Sequence, residues 1–378
     1  MIGRLAISLG ALRRNAAALR DLVGAGKAAF VVKSNAYGHG LVETALAIEP
    51  FANRICVYAL EEGVALREGG VTAKILVLGP IPPALLSDAL AAKLEIALWD
   101  TKTFALRLAE AARKRHVAAQ VHLKVNTGLN RLGLEPHELV DAAEDYLRVS
   151  EIAIAGIFSH LSSAEELDSP YTMHQLETFE RALAQVKPVL DARDIAPVRH
   201  IAASAAAMLW PQTRLDMSRF GIALYGLWPS PQTHAAMGDG AIALEPALSY
   251  ESELIVVRSI AAGAQVGYGS TYHAPRDMRI GVVPAGYADG VPRALSNRGA
   301  FLVDGALCPI VGRVAMNMTS IDVSDAPNAH VGSKVALLGT DGNARVDADM
   351  WAAWSDSINY EIVARLPSEL PREYVDEP

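Results

Sequence analysis

The sequence predicts a parallel (β/α)8 barrel followed by a mostly β C-terminal domain. Three observations lead there. Between residues 28 and 220, eight short apolar runs alternate with helix-like segments. No glycine fingerprint of an open, doubly wound sheet follows the first run. Beyond about residue 230 the apolar period drops to two and turn residues multiply. The expected domains are therefore 10–228 and 229–378, with residues 1–9, which alternate around Leu5, Ile7 and Leu9, adding a strand to the second.

The strand candidates are AAFVVK (28–33), ICVYAL (55–60), KILVL (74–78), LEIALW (94–99), QVHLKV (120–125), IAIAGIF (152–158), VRHIA (198–202) and LDMSRF (215–220). Helical spacing of three or four marks 41–49, 61–69, 82–92, 101–115, 136–147, 171–190 and about 203–210. Some of these carry start signals, Asp100-Thr101 before KTFALRLAEAARKRH and Glu135-Pro136 before HELVDAAEDYL. The polar stretch PSPQTHAAMGDG then reads as a linker. Past it, ALSYESELIVVRSI, AQVGYGSTY, RIGVVPAGY, FLVDGALCPIVGRVAM, TSIDVS and SKVALLG read as strands, with Asp304-Gly305 as a hairpin turn and one short helix near 347–357.

Composition narrows the function. With 378 residues and 51% apolar content the chain can bury a large core. A net charge of −8 and the lack of any basic block argue against a nucleic-acid partner. Two cysteines, Cys56 and Cys308, form neither a metal spacing nor a disulfide framework. No apolar run reaches the length of a membrane span and no signal-peptide core opens the chain, so a cytoplasmic location is expected.

Functional residues of such barrels lie at the C-terminal strand ends. Strand 1 ends on Lys33, followed by Tyr37. Strand 5 carries Lys124 and leads into NTGLNRLG with Arg131. Strand 6 ends in Ser159-His160, strand 7 near His200 and Ser204, and strand 8 in Arg219-Phe220-Gly221-Ile222. Taken singly, each has a plain alternative: a solvent-facing strand-end lysine, a satisfied histidine, a loop cation, and for Ser204 a routine N-cap. Together they place an amine beside a helix start and a Gly turn after strands 7 and 8, where barrels bind phosphate. An amine nucleophile plus a phosphate site points to an aldehyde cofactor with a phosphate handle, pyridoxal 5'-phosphate.

With these residues in view, the chain resembles the alanine racemases, fold-type-III pyridoxal phosphate enzymes. VVKSNAYGHG resembles the signature around that family's Schiff-base lysine. LKVNTGLNRLGL, IFSHLSSAEE, RHIAASAAAM, LDMSRFGIALYGL, VGYGSTYHA, PAGYADGVPR, VGRVAMNMTSIDV and INYEIVARL follow in the family's order. The resemblance implies an isomerase that interconverts L- and D-alanine. Lys33 would hold the cofactor and act as one base; Tyr268 of the partner subunit would act as the other. Tyr37, Ser204, Gly221, Ile222 and Tyr360 would bind the phosphate, Arg219 would face the pyridine nitrogen, and His160 would pack on the ring. Arg131 would reach the phenolic oxygen and the substrate carboxylate, and Met316 would offer its backbone to that carboxylate. Tyr287, Arg293 and Arg313 would line the entrance. Lys124 matches a lysine the family often carries carbamylated; the plain alternative is an interior lysine paired with an acid. The implied assembly is a homodimer with composite sites.

Arginine at the ring nitrogen agrees with racemisation on chemical grounds. A guanidinium does not give up its proton, so the nitrogen stays unprotonated, the electron sink is weaker, and side reactions are disfavoured. The same residue speaks against a fold-type-III decarboxylase, which typically places a carboxylate there. A barrel-only cofactor carrier would lack the second domain. Some positions depart from the family pattern: Asn126 and Asn317 where Asp is usual, Asn130 where Gly is frequent, Ala203 where Asn is common, Ala315 where Cys or Ser occurs, and Glu165 where an entrance Asp is typical. The two lost carboxylates at 126 and 317 change the field expected near Arg131 and Tyr268 and bear on rate, pH profile and substrate width rather than on reaction type; the alternative is a racemase of broader specificity that admits serine.

Overall fold

The computed structural model describes residues 3–99, 102–238 and 240–376. Eight parallel strands form the first sheet: β1 (Ala28–Val31), β2 (Arg54–Val57), β3 (Ile75–Val77), β4 (Leu94–Leu98), β5 (Ala119–Lys124), β6 (Ile152–Phe158), β7 (Val198–His200) and β8 (Ser218–Phe220). From β1 to β7 each pairs with the next in sequence, and β1 also pairs with β8 (Ala29 beside Arg219). Between β7 and β8 the ring is closed by a bridge from Ala203 to Arg219 and by the Arg219 N–H donating to the Ala202 carbonyl at 3.0 Å. This is the expected barrel. Its strands read as continuous apolar runs because a parallel sheet wrapped in helices is buried on both faces; every residue of β1 to β4 is buried.

The strands are shorter than the apolar runs that announced them. ICVYAL loses its last residues because Leu60 starts the next helix, Leu60–Glu68. Glu62 fixes that start by accepting from the N–H groups of Tyr58 and Ala59 at 3.0 and 3.1 Å. The segments expected at 82–92 and 136–147 each open with a 3-10 turn on proline before the α-helix, consistent with proline's fixed φ at a helix start. Helix Lys102–Arg115 is present; its expected cap, Asp100-Thr101, lies outside the described residues. Two helices were not expected. Leu9–Val23 precedes β1, and Pro231–Met237 occupies the supposed linker, capped by Ser230, whose hydroxyl accepts from the Thr233 N–H at 3.1 Å.

β1 leads into an unusual turn. Ser34, Asn35, Ala36 and Tyr37 all have φ between 53° and 55°. Four consecutive non-glycine residues in the left-handed region form a short left-handed helix, which L-residues enter at a cost of about 1–2 kcal/mol each. The Ser34 N–H donates to Glu62 Oε1 at 2.5 Å.

Contacts divide the chain into two compact units: Leu12–Ser34 with Leu41–Glu245, and Met1–Ala11 with Asn35–Gly40 and Pro246–Pro378. The second is mostly β. Its largest sheet runs Ala306–Pro309, Ala300–Val303, Lys334–Asp341, Leu248–Glu253, Arg4–Ser8, Arg372–Val375. Arg4–Ser8 lies antiparallel to Leu248–Glu253 and parallel to Arg372–Val375, with Leu5 and Ile7 wholly buried. A three-stranded sheet joins Val256–Ile260, Met278–Val283 and Thr319–Asp322. Asp304 (φ 51°) and Gly305 (φ 74°) make the two-residue hairpin turn between Ala300–Val303 and Ala306–Pro309, with the positive φ at both centres that a type I′ turn requires. Two helices rather than one follow, Ala348–Ser355 and Asn359–Ala364. Among the described residues no helix is long and apolar enough to cross a membrane.

Candidate active site

Lys33 stands two residues past the end of β1, after Val32, and is half-buried. Burial lowers its pKa, and the Arg131 guanidinium lowers it further, against a weaker opposing pull from Glu62. Lys124 ends β5. Its Nζ lies 5.8 Å from the Trp99 ring and 5.6 Å from the Phe158 ring, so the ammonium rests between aromatic faces rather than on an acid. Burial first, then Arg219, Arg131 and Lys33, push it down to about 8. Arg131 is exposed, yet near enough to act on Lys33, Lys124 and His160. No carboxylate hydrogen-bonds to Lys33, Lys124, Arg131 or Arg219 among the described residues. The barrel mouth therefore concentrates four cationic groups without a paired anion.

His160 follows β6, where burial and then the charges of Arg219, Arg131, Lys124 and Lys33 hold its pKa at about 3. It is a neutral ring at ordinary pH. Its Nδ1 accepts from Arg219 Nη2 at 3.3 Å. Arg219 itself, on β8, is buried. Nη2 also donates to the carbonyls of Ser159 (2.7 Å) and Ile201 (3.1 Å), and Nη1 donates to His200 Nδ1 (2.6 Å). Burial brings its pKa down to about 10, still well above neutrality. The guanidinium lies 5.4 Å from the Phe158 ring, which also stacks on His200.

Ser204 corrects one reading. It is not the N-cap of its helix; Ala203 is, and it makes no side-chain capping bond. Ser204 is the first helical residue, buried, and its hydroxyl accepts from the Gly221 N–H at 3.1 Å. That bond ties the turn after β7 to the turn after β8. Gly221 and Ile222, both buried, begin the 3-10 helix Ile222–Tyr225.

The remaining candidates belong to the β unit. Tyr37 and Tyr360 face each other with ring centroids 6.3 Å apart. Tyr268 is exposed (73%), as are Tyr287 (44%), Met316 (56%), Arg293 and Arg313. Tyr268 sits between Gly267 and Gly269, both at positive φ. A large, exposed tyrosine held in a glycine turn is not what a half-buried strand residue looks like.

The two asparagines that replace expected carboxylates each donate to a carboxylate that remains. Asn126 Nδ2 donates to Glu135 Oε1 at 2.9 Å and to Asn130 Oδ1 at 3.0 Å, while Asn126 Oδ1 accepts from the N–H groups of Gly128 and Asn130. Asn317 Nδ2 donates to Asp289 Oδ2 at 3.2 Å. An aspartate at either place could donate nothing and would face a like charge. Glu165 is half-buried, and burial raises its pKa.

Arg54, Glu95 and His122 were passed over in the sequence: Glu95 and His122 lie inside apolar runs, and Arg54 stands just before one. That was itself a signal, since charged groups in buried strands demand partners. Arg54 Nε donates to Glu95 Oε2 at 2.6 Å, and His122 Nε2 lies 3.0 Å from the same oxygen.

Two family matches cover nearly all of this structure. Residues 7–229 match the alanine racemase N-terminal domain, and residues 247–374 match the alanine racemase C-terminal domain. An alanine racemase of Symbiobacterium thermophilum is 40% identical over 370 residues, covering 97% of this chain and 96% of that protein. One of Halothermothrix orenii is 37% identical, covering 97% and 95%. Among solved structures, the alanine racemase of Streptomyces coelicolor superposes with a TM-score of 0.91 at 34% identity, covering 100% of this chain and 98% of that one. With residues 7–229 and 247–374 matched to the two domains and the barrel present as expected, the chain belongs to the alanine racemase family of isomerases.

Proposed function

We propose that the protein interconverts L- and D-alanine with pyridoxal 5'-phosphate, using Lys33 and Tyr268 as bases on opposite faces of the substrate. The carrying observation is the barrel mouth: four cationic groups without a hydrogen-bonded carboxylate among the described residues. Such a site calls for anions, and the phosphate of the cofactor and the carboxylate of an amino acid supply them. The donor set fits the cofactor, since it combines a desolvated amine with the buried Ser204 and Gly221 turn. When bound, pyridoxal phosphate supplies an aldehyde for an amine and a ring that acidifies the proton on Cα.

The residues then divide the work. The lowered pKa of Lys33 increases its share of neutral amine, the form that attacks a carbonyl and accepts a proton. Lys33 serves the D-side proton. Tyr268, acting in the site of the partner subunit of a homodimer, serves the L-side proton at its phenolic oxygen. Arg131 pairs with the substrate carboxylate and the phenolic oxygen of the cofactor, and the Met316 backbone steadies the same carboxylate. Ser204, Gly221, Ile222, Tyr37 and Tyr360 take the phosphate. Neutral His160 would pack on the ring, and Arg219 would face its nitrogen. Tyr287, Arg293 and Arg313 screen entering substrates. Lys124 is unpaired, and its pKa lowered to about 8 increases its share of neutral amine; that neutral amine is suited to add carbon dioxide, forming an N–C bond and releasing one proton, and the resulting carbamate anion would orient Arg131. The protein would work in the cytoplasm, where amino acid and cofactor are both present.

The test is incubation with pyridoxal phosphate and L-alanine in heavy water, with L-serine in parallel, following Cα deuteration and D-amino acid together. Deuterated alanine of both hands is expected. Lys33→Ala should abolish the visible absorbance of lysine-bound cofactor. Tyr268→Phe should keep that absorbance and lose L-to-D turnover by about 100-fold or more. A Tyr268→Phe enzyme racemising at the parent rate would remove the two-base assignment, and Cα exchange without D-alanine would remove racemisation.

A further inference from the structure

Barrel interiors are ordinarily filled by branched apolar side chains. This one contains a chain of buried polar groups reaching from Arg219 to Arg54. Arg219 Nη1 lies 2.6 Å from His200 Nδ1, His200 Nε2 lies 2.9 Å from His122 Nδ1, and His122 Nε2 lies 3.0 Å from Glu95 Oε2. Glu95 Oε2 also accepts from Arg54 Nε at 2.6 Å. His122 and His200 are wholly buried, and Glu95, Arg54 and Arg219 are at most 5% exposed.

We propose that Glu95, His122 and His200 are positioning residues, a one-way hydrogen-bonded relay that holds the Arg219 guanidinium as a fixed donor. Its bearing on the cofactor ring rests on the reading of Arg219 given above.

The direction follows from the donor inventory. A guanidinium only donates, so His200 Nδ1 must be bare and its proton must sit on Nε2. That proton is given to His122 Nδ1, which must also be bare. The His122 proton then sits on Nε2 and is given to Glu95, which only accepts. Each ring nitrogen has one role, and both rings are neutral. Burial lowers the pKa of both histidines, with nearby arginines adding to it and, at His122, Glu95 opposing it without overcoming it, and so favours the neutral rings. Glu95 stays ionised: burial pulls its pKa up, but bonds from His122 and Arg54 outweigh that and bring it to about 2. A proton added at His200 Nδ1, His122 Nδ1 or Glu95 Oε2 would set two donors against each other.

The backbone is shaped for this relay. The β5–β6 register shifts between Val121 and His122, leaving one extra residue on β6, and His122 falls opposite Gly156. A Cβ on Gly156 would collide with the His122 ring. Bulges re-aim side chains, and here the bulge and the glycine together give an imidazole room inside the barrel.

The experiment uses the holoenzyme with 15N-labelled histidine and arginine, the rings assigned by single His→Asn substitutions. In the parent protein both His122 and His200 should be neutral and protonated on Nε2 between pH 6 and 8. A proton on Nδ1 of either ring overturns the proposal without any variant. Arg54→Met with Glu95→Leu removes the terminal acceptor together with its buried partner, so no charge is left unpaired. Arg54→Met with Glu95→Gln keeps a carbonyl acceptor. The leucine variant should lose the tautomer pattern, move the Arg219 guanidinium resonances, shift the cofactor absorbance, and lower kcat about tenfold. KM for alanine should stay within about twofold, and the glutamine variant should restore all four readouts. Parent tautomers, spectrum and kcat in a folded leucine variant would overturn the relay. Tautomers and Arg219 resonances that move without any change in cofactor absorbance would uphold the relay and overturn the ring-nitrogen assignment.

Discussion

At residue scale, the two asparagines at 126 and 317 show how a family pattern can be departed from without a vacancy. From the sequence the loss of two carboxylates implied a changed field near Arg131 and Tyr268. The structure instead has each amide donating to a neighbouring carboxylate, Glu135 and Asp289. Restoring the expected residue should therefore harm rather than help. Asn126→Asp replaces a donor 2.9 Å from Glu135 with a like charge, forfeiting a hydrogen bond worth about 1 kcal/mol and adding repulsion. Urea titration at pH 7 should show a loss of about 1–2 kcal/mol. The repulsive part should vanish as pH falls below the carboxylate range, because one oxygen then carries a proton and can donate. A loss that stays constant down to pH 3 would mean repulsion contributes nothing. Neighbour identity of this kind was invisible in the sequence: Glu135 lies nine residues away and Asp289 twenty-eight.

At element scale, the left-handed turn Ser34–Tyr37 is the costliest local feature, and it directly follows Lys33. The sequence carried no warning of it. Ser-Asn-Ala-Tyr has only one residue, Asn35, with any tolerance for positive φ, and tertiary context overrides the local preference of the others. Ser34 is exposed, and the hydrogen bond it makes to Glu62 comes from its backbone N–H. Ser34→Gly keeps that N–H, relieves about 1–2 kcal/mol of left-handed strain, and adds the smaller entropy cost of a freer unfolded chain. The variant should be more stable by up to about 1 kcal/mol, read from the denaturation midpoint. A destabilised variant would show that the serine side chain, not the backbone, holds the turn. The barrel strands were legible for the opposite reason. Their apolar runs answer to burial on both faces, which does not depend on partners distant in the chain, whereas where a run stops is set by local caps such as Glu62, three and four residues past the Ala59 and Tyr58 N–H groups it accepts from, which apolar patterning does not show. The same distinction governs the site: strand-end placement gathered Lys33, Lys124, Arg131, His160 and Arg219 from sequence alone, while the interior Arg54, Glu95 and His122 acquire meaning only through their partners.

At the scale of the whole molecule, the buried histidines set the response to acid. His122, His160 and His200 in the barrel, and His39 in the β unit, are all held below the ordinary histidine range by burial, His160 at about 3 and His39 at about 4. The sign follows from proton uptake. Above pH 6.5 neither the folded nor the unfolded chain protonates these rings, and their neutral state adds no pH dependence. Below it, the unfolded chain takes up protons that the folded chain refuses, so stability is lost as pH falls from the unfolded pKa toward the folded one. Each such ring contributes a slope of up to about 1.4 kcal/mol per pH unit in that window. Glu95 acts lower down: its stabilising share is present above the ordinary carboxylate range and is lost as pH falls from there toward 2. Chemical denaturation at intervals from pH 8 to 4 should therefore show a plateau above about 6.5 and a steepening decline beneath it, well before carboxylates protonate. His122→Phe, though destabilising at every pH because Glu95 and His200 lose a partner, should flatten the decline between pH 6.5 and 5 by one proton. A curve that stays level to pH 4.5 would mean that the histidines titrate in the folded barrel, which a one-way relay from Arg219 to Glu95 does not permit.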